Sequence, residues 1–387
     1  MPSESNPLSL YLHIPFCSTK CSYCAFNTYT HLEHLIDAFV DALAREVEIV
    51  GRGQTVGTIF FGGGTPSLLT PEQYQRIFHA IHKHFSVMHD AEISLEANPN
   101  DLNRDYLAAL RGIGFNRLSI GMQTANPNEL RLFSRRHDND AVARAMSAAR
   151  GAGFDNVNLD LIYGFPHQTL ESWETTLRQM LYLKPEHVSL YALGLEDGTA
   201  MKAWVETGRL PAPDDDLAAD MYELASDMLA AHGYEQYEIS NWSLPGRQCR
   251  HNLQYWLNLP YVGLGPGAHG FADGVRYSVI LSPQRYIKLM MESTGEFEFP
   301  RSPATDQAEI IQRDGEIAET LIMGLRLTQQ GIERKTFARR FGADLLDIHG
   351  GTIRRFEDHG LLSVDDERVR LTQQGRLLSN VIFRELV

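Results

Sequence analysis

Three of the four cysteines in this chain fall within eight residues, at Cys17, Cys21 and Cys24, in the stretch from Tyr11 to Phe26. Their spacing is C-x3-C-x2-C. Three thiolates can hold three irons of a four-iron cluster and leave the fourth iron without a protein ligand. A catalytic centre needs such an open position, and a closed structural site avoids it. A zinc ribbon fits poorly, because no second cysteine or histidine pair follows at finger spacing. The competing reading is three small buried hydrophobes. Three thiols in eight residues of a chain that has only four weigh against it. An apolar run, Leu8 to Ile14, precedes the triplet and reads as a strand that Pro15 ends. The cysteines therefore occupy a loop at a strand end.

Other residue types that could do chemistry also follow apolar runs. Gly62-Gly63-Gly64-Thr65-Pro66 comes directly after a strand-like run ending in Phe60-Phe61. Glycines there let the backbone approach a ligand closely, although a tight structural turn has the same composition. Glu96 ends the next run, where its carboxylate could accept two hydrogen bonds from a ribose diol. Gln123 ends another, and Arg135 follows 12 residues later. Asp160 sits inside an apolar run and needs a partner, for which Arg135 is a candidate. Further on stands Cys249-Arg250-His251-Asn252-Leu253-Gln254-Tyr255-Trp256. A neutral imidazole can ligate haem iron and aromatic neighbours can flank a flat macrocycle; a packed core histidine is the bland alternative. Cys249 reads as a buried thiol. His269, in the glycine-rich run Gly263–Gly270, is a second, weaker candidate for haem.

The cysteine triplet after a first strand resembles the radical S-adenosylmethionine superfamily. Tyr11, His13, Pro15, Phe16 and Tyr23 narrow the resemblance to the branch of the oxygen-independent coproporphyrinogen III oxidases and the HemW-type haem chaperones. The resemblance implies a [4Fe-4S] cluster on Cys17, Cys21 and Cys24. Its open iron would chelate S-adenosylmethionine, and one electron would cleave that cofactor to a 5'-deoxyadenosyl radical. It also implies that Gly63, Gly64 and Thr65 hold the methionine amino group and that Glu96, Tyr11 and Tyr23 bind the cofactor. Gln123, Arg135 and Asp160 match residues that contact a second S-adenosylmethionine in the oxidase branch. Two features depart from the oxidases: Phe26 stands where they carry a further cysteine, and only a few residues precede the first strand. Both features, with the string His251-Asn252-x-x-Tyr255-Trp256, resemble the HemW type. That type implies haem as cargo, with His251 as a candidate ligand, and a haem-accepting respiratory protein as partner. Two enzymatic readings stay open: coproporphyrinogen III dehydrogenation, and a related radical methyl transfer or haem degradation.

The elements that must position these residues alternate between strand and helix. Strand-like runs at Leu8–His13, Val56–Phe61, Glu92–Ala97, Arg117–Met122, Asn156–Ile162 and His187–Leu193 are separated by amphipathic helices. Six β-α units predict a parallel sheet with active residues in the loops after the strands. The resemblance makes this an open partial (β/α)6 TIM-like barrel. Expected parts are the barrel with its cluster loop at 1–200, an extension carrying the histidine string at 201–300, and a smaller C-terminal α+β domain at 301–387. In the last part, helices near Gln307–Met323, Arg334–Phe341 and Ala343–Asp358, strands Leu361–Val364 and Arg368–Leu371, and a helix near Gly375–Phe383 predict a winged-helix-like unit.

Charge limits what that unit can do. From Glu316 onward there are 11 basic and 11 acidic residues, and the whole chain carries −14. Neither supports nucleic-acid binding, so a protein partner or barrel-covering role is expected. Apolar content of 43% fits an ordinary globular core. Met1–Pro7 is too short and polar for a signal peptide, and no apolar run reaches the roughly 20 residues of a membrane span. A cytoplasmic protein is expected, touching membranes at most peripherally or through its partner.

Overall fold

The computed structural model describes residues 6–386, so most of Met1–Pro7 lies outside the described residues. Six strands form first: β1 (Leu8–Ile14), β2 (Thr55–Gly63), β3 (Ser86–Ala97), β4 (Arg117–Gln123), β5 (Val157–Tyr163) and β6 (His187–Ala192). Each pairs in parallel with the next in chain order. A sheet whose spatial order equals its sequence order places every crossover helix on one side, so it curls with the helices outside. The helices carry their own start signals. Pro71–His84 begins with a capping box between Thr70 and Gln73, and Asn103, Asp138 and Thr169 cap three others.

The curled sheet is extended on both sides. Beyond β6 lie β7 (Glu235–Glu238) and β8 (Asn241–Ser243). Beyond β1 lie β9 (Tyr261–Leu264), β10 (His269–Ala272), β11 (Val275–Val279) and β12 (Thr305–Ile310). The twelve strands run β12-β11-β10-β9-β1-β2-β3-β4-β5-β6-β8-β7, so the barrel is open between β12 and β7. Alternation along β1 sorts its side chains. Leu10, Leu12 and Ile14 are buried in the main hydrophobic core, while Tyr11 and His13 alternate with them on the other face.

Three more strands, β13 (Ile332–Glu333), β14 (Leu362–Val364) and β15 (Arg368–Leu371), form a separate sheet in the order β13-β15-β14. Helices Arg313–Leu325, Arg334–Phe341 and Leu345–Asp358 pack on it around a second core that includes Ile317, Leu321, Phe337 and Ile353. This is the smaller winged-helix-like C-terminal domain. Two details differ from the sequence reading. The helix expected from Gln307 starts at Arg313, because Thr305–Ile310 is recruited as an edge strand against β11. The last helix is divided into Gln373–Leu377 and Ser379–Arg384.

Candidate functional site

Of the site residues expected from the sequence, all but His269 line one cavity of about 630 Å³ at the C-terminal ends of the parallel strands. Its size suits a cofactor, for which pockets are typically about 300–1,000 Å³. Cys17, Cys21 and Cys24 form one wall, all as free thiols. Their loop is held at both ends. Cys17 N donates to Tyr29 O at 2.9 Å and Tyr29 N to Pro15 O at 2.7 Å. Ser22 Oγ donates to Leu132 O at 2.7 Å, Met201 N donates to Ser22 O at 2.8 Å, and the Tyr23 ring meets Phe133 edge-on at 5.0 Å.

The glycine loop after β2 lies against the same wall. Gly64 N donates to Ile14 O and Thr65 N to Phe16 O, each at 2.8 Å. A Cβ at Gly64 would stand 2.6 Å from Phe16 O and 3.1 Å from Cys17 Sγ, so only glycine permits this approach. Gly63 has φ +110°. Thr65 Oγ1 donates to Cys17 Sγ at 3.3 Å. Burial pushes the Cys17 thiol up to about 11 even so, and ligation there displaces a proton. Three thiols on a clamped loop, beside a backbone too close for any side chain, fit a cluster with an open iron. Among the described residues no three His, Cys, Asp or Glu side chains converge on one ion.

The opposite wall is polar. Glu96 Oε2 accepts from Gly63 N at 3.0 Å. Burial, then the nearby Asp160, push its carboxyl up to about 7. Asp160 is raised by burial too, and accepts from Ser119 Oγ at 2.9 Å and Asn158 Nδ2 at 2.8 Å. The expected Arg135 partner points elsewhere: its Nη2 donates to Gly121 O at 2.9 Å and its Nη1 reaches Cys21 Sγ at 3.6 Å. Arg135 thus sits beside the thiols, and its Nε, buried, has no hydrogen-bond partner among the described residues. Gln123 closes β4 in a left-handed turn, φ +64°.

A buried cation of the cavity that the sequence reading missed is Arg117. It is buried, lines the cavity, and acts electrostatically on Glu96, Asp160 and Glu92. An arginine opening an otherwise apolar strand was its signal.

His251 is on the helix Arg250–Trp256 and only 1% exposed. Its Nδ1 bonds Thr58 Oγ1 at 2.7 Å and its Nε2 bonds Tyr255 OH at 2.8 Å. The ring stacks on Phe60 at 5.1 Å, and Tyr11, whose OH bonds His13 Nδ1 at 3.0 Å, lies alongside. Burial, then Arg117, lower His251 to about 3, so it is neutral. Cys249 is buried on the far side, facing Glu92 at 3.5 Å, and does not line the cavity.

Comparison with known proteins agrees with this geometry. Residues 11–180 match the Radical SAM superfamily and residues 311–378 match the HemN C-terminal domain. The chain is 37% identical over 379 residues to the heme chaperone HemW of Bacillus subtilis, covering 97% of this chain and 98% of that protein. It is 37% identical over 396 residues to the heme chaperone HemW of Mycobacterium tuberculosis H37Rv, covering 100% and 96%. The solved coproporphyrinogen III oxidase (HemN) from Escherichia coli, a radical SAM enzyme, superposes with a TM-score of 0.84 at 26% identity, over 99% of this chain and 90% of that one. Radical SAM membership implies a [4Fe-4S] cluster and S-adenosylmethionine. The cysteine wall, the parallel half-barrel and likeness along the whole chain together place this protein in the HemW-type family of radical S-adenosylmethionine proteins.

Proposed function

We propose that this protein is a haem chaperone that binds haem and passes it to a respiratory acceptor protein. The observation that supports this most is likeness to proteins named heme chaperone HemW over 97% of the chain, with the cysteine triplet on a single cavity wall. In this reading Cys17, Cys21 and Cys24 hold the cluster. Gly63, Gly64, Thr65 and Glu96 hold S-adenosylmethionine, with Tyr11 and Tyr23 as flanking walls. Arg135, beside Cys21, offsets thiolate charge and, with Gln123 and Asp160, meets the cofactor carboxylate or a second cofactor molecule. When bound, the cluster supplies an electron for cofactor cleavage. Residues 1–200 carry that site, 201–300 the histidine string, and 301–387 a face for the protein partner. The protein works in the cytoplasm and meets a membrane-associated acceptor peripherally. No described helix is long and apolar enough to cross a membrane.

The test is an anaerobic reconstitution in which iron and sulfide are counted, haem is titrated, and the loaded protein is mixed with an apo-haemoprotein acceptor. Saturable haem binding followed by transfer is expected. No saturable binding sinks the reading. A second reading, coproporphyrinogen dehydrogenation, draws on the full-length likeness to the solved oxidase. Anaerobic consumption of coproporphyrinogen III by the reconstituted protein would favour it.

A further inference from the structure

We propose that haem docks on the outer lip of the cavity with His269, not His251, as its axial ligand. The inference rests on the haem-chaperone reading above. An axial ligand needs a free ring nitrogen and open space above it for a macrocycle. His251 has neither, since both nitrogens are bonded and Phe60 covers a ring face. His269 has both. It is exposed at the start of β10, and its ring meets no hydrogen-bond partner among the described residues. Its backbone packs beside the barrel mouth: a Cβ on Gly263 would collide with His269 O, and one on Gly265 would stand 2.5 Å from His13 O.

The rest of the lip suits the other parts of a haem. Asn27 Nδ2 donates to Pro266 O and to Leu281 O, each at 2.9 Å, and Tyr29 OH donates to Leu281 O at 3.2 Å. These bonds tie the cysteine loop to the segment that carries His269 and Leu281. Phe26, on the cavity wall, is 69% exposed and Leu281 is 60% exposed. Two large exposed apolar side chains, one on the cavity wall and one on the segment bonded to the cysteine loop, offer a surface to a flat apolar ligand. Lys20 on the same wall and Arg285, four residues beyond Leu281, are exposed, and neither enters an ion pair among the described residues. In a chain of net charge −14, these free cations complement two propionates. Docking outside also leaves the cavity to S-adenosylmethionine and leaves the cargo within reach of an acceptor.

The experiment titrates ferric haem into the anaerobically reconstituted full chain and compares wild type with His269→Ala, His251→Gln and Phe26→Ala. Readouts are the Soret position, the haem EPR spectrum and the Kd, with iron and sulfide content as a check on folding. His269→Ala should shift the Soret band and weaken binding about tenfold or more, a loss of about 1.4 kcal/mol. Added imidazole should restore the wild-type spectrum. His251→Gln should keep the wild-type Soret band, and Phe26→Ala should weaken binding without changing the ligand spectrum. Wild-type spectrum and affinity in His269→Ala, or loss of the ligand spectrum in His251→Gln, would overturn the site. No haem binding by wild type would overturn the chaperone reading, and the site with it, and is told apart by the failure of the unmodified protein.

Discussion

Glu96 carries a proton whose loss is costly in the folded chain, because its carboxyl is raised from 4.5 to about 7 by burial and by Asp160. A raised acid favours folding fully below its unfolded value, and that contribution is lost as pH rises through about 7. The shift corresponds to about 3 kcal/mol. Glu96→Gln should therefore flatten the stability profile between about pH 4.5 and 7, and at pH 8 the cofactor-free variant should melt above wild type while binding S-adenosylmethionine more weakly. A melting point that tracks wild type across that window would contradict the assignment. At the same scale the four cysteines should separate. Replacing Cys17, Cys21 or Cys24 by Ala should remove the iron–sulfur absorption after reconstitution. Cys249→Ala should keep full iron and sulfide content, since its thiol faces Glu92 and lies off the cavity wall.

Between elements, three segments distant in sequence are held by one buried acid. Glu46, on the helix Ile36–Val50, is 1% exposed. It accepts from Gly265 N at 2.8 Å, Tyr286 OH at 2.7 Å and Ser302 Oγ at 2.6 Å. One carboxylate thus pins the loop after β9, the helix Pro283–Glu292 and the segment before β12. Glu46→Ala strands three buried donors and should cost about 3 kcal/mol or more in urea unfolding, whereas Glu46→Gln should cost clearly less because it still accepts. Equal losses would show that Glu46 holds the three segments by packing and not by hydrogen bonding. Gly63 is a second such point: at φ +110° a Cβ would collide with the His13 ring. Strain of this kind costs about 1–3 kcal/mol.

Across the whole molecule, the C-terminal domain is joined to the barrel through buried charge. Glu238 on β7 is 0% exposed and meets Arg326 at 3.7 Å. Arg326 also covers the Trp256 ring at 4.5 Å, and its backbone oxygen accepts from Ile239 N at 3.1 Å. Removing one partner of a buried pair leaves the other uncompensated, at about 3–5 kcal/mol. Arg326→Ala should lower the melting temperature sharply, and adding Glu238→Gln should recover much of the loss. A double variant no better than the single one would mean that the pair does not join the two parts.

The expected cluster site and the ladder that carries it are readable from local patterns. Cysteine spacing, the glycine run and Glu96 are local patterns, and a loop directly after a parallel strand falls at the barrel mouth whatever the rest of the chain does. The six β-α units were legible for the same reason, since hydrophobic alternation is set by near neighbours. The partners of these residues come from the fold. Arg117 shares the interior with Glu96 and Asp160 while Arg135 turns its guanidinium to Gly121 O and Cys21 Sγ, because β3, β4 and β5 lie side by side and their inward side chains line one cavity. Thr305–Ile310 has side chains suited to helix, and becomes a strand because β11 offers an unpaired edge. His251 was legible as an important imidazole, but its burial and its two hydrogen bonds come from Thr58, 193 residues away, and from Tyr255 one turn on. Long-range contacts of that kind leave no periodicity in a sequence, so the fold alone could assign them.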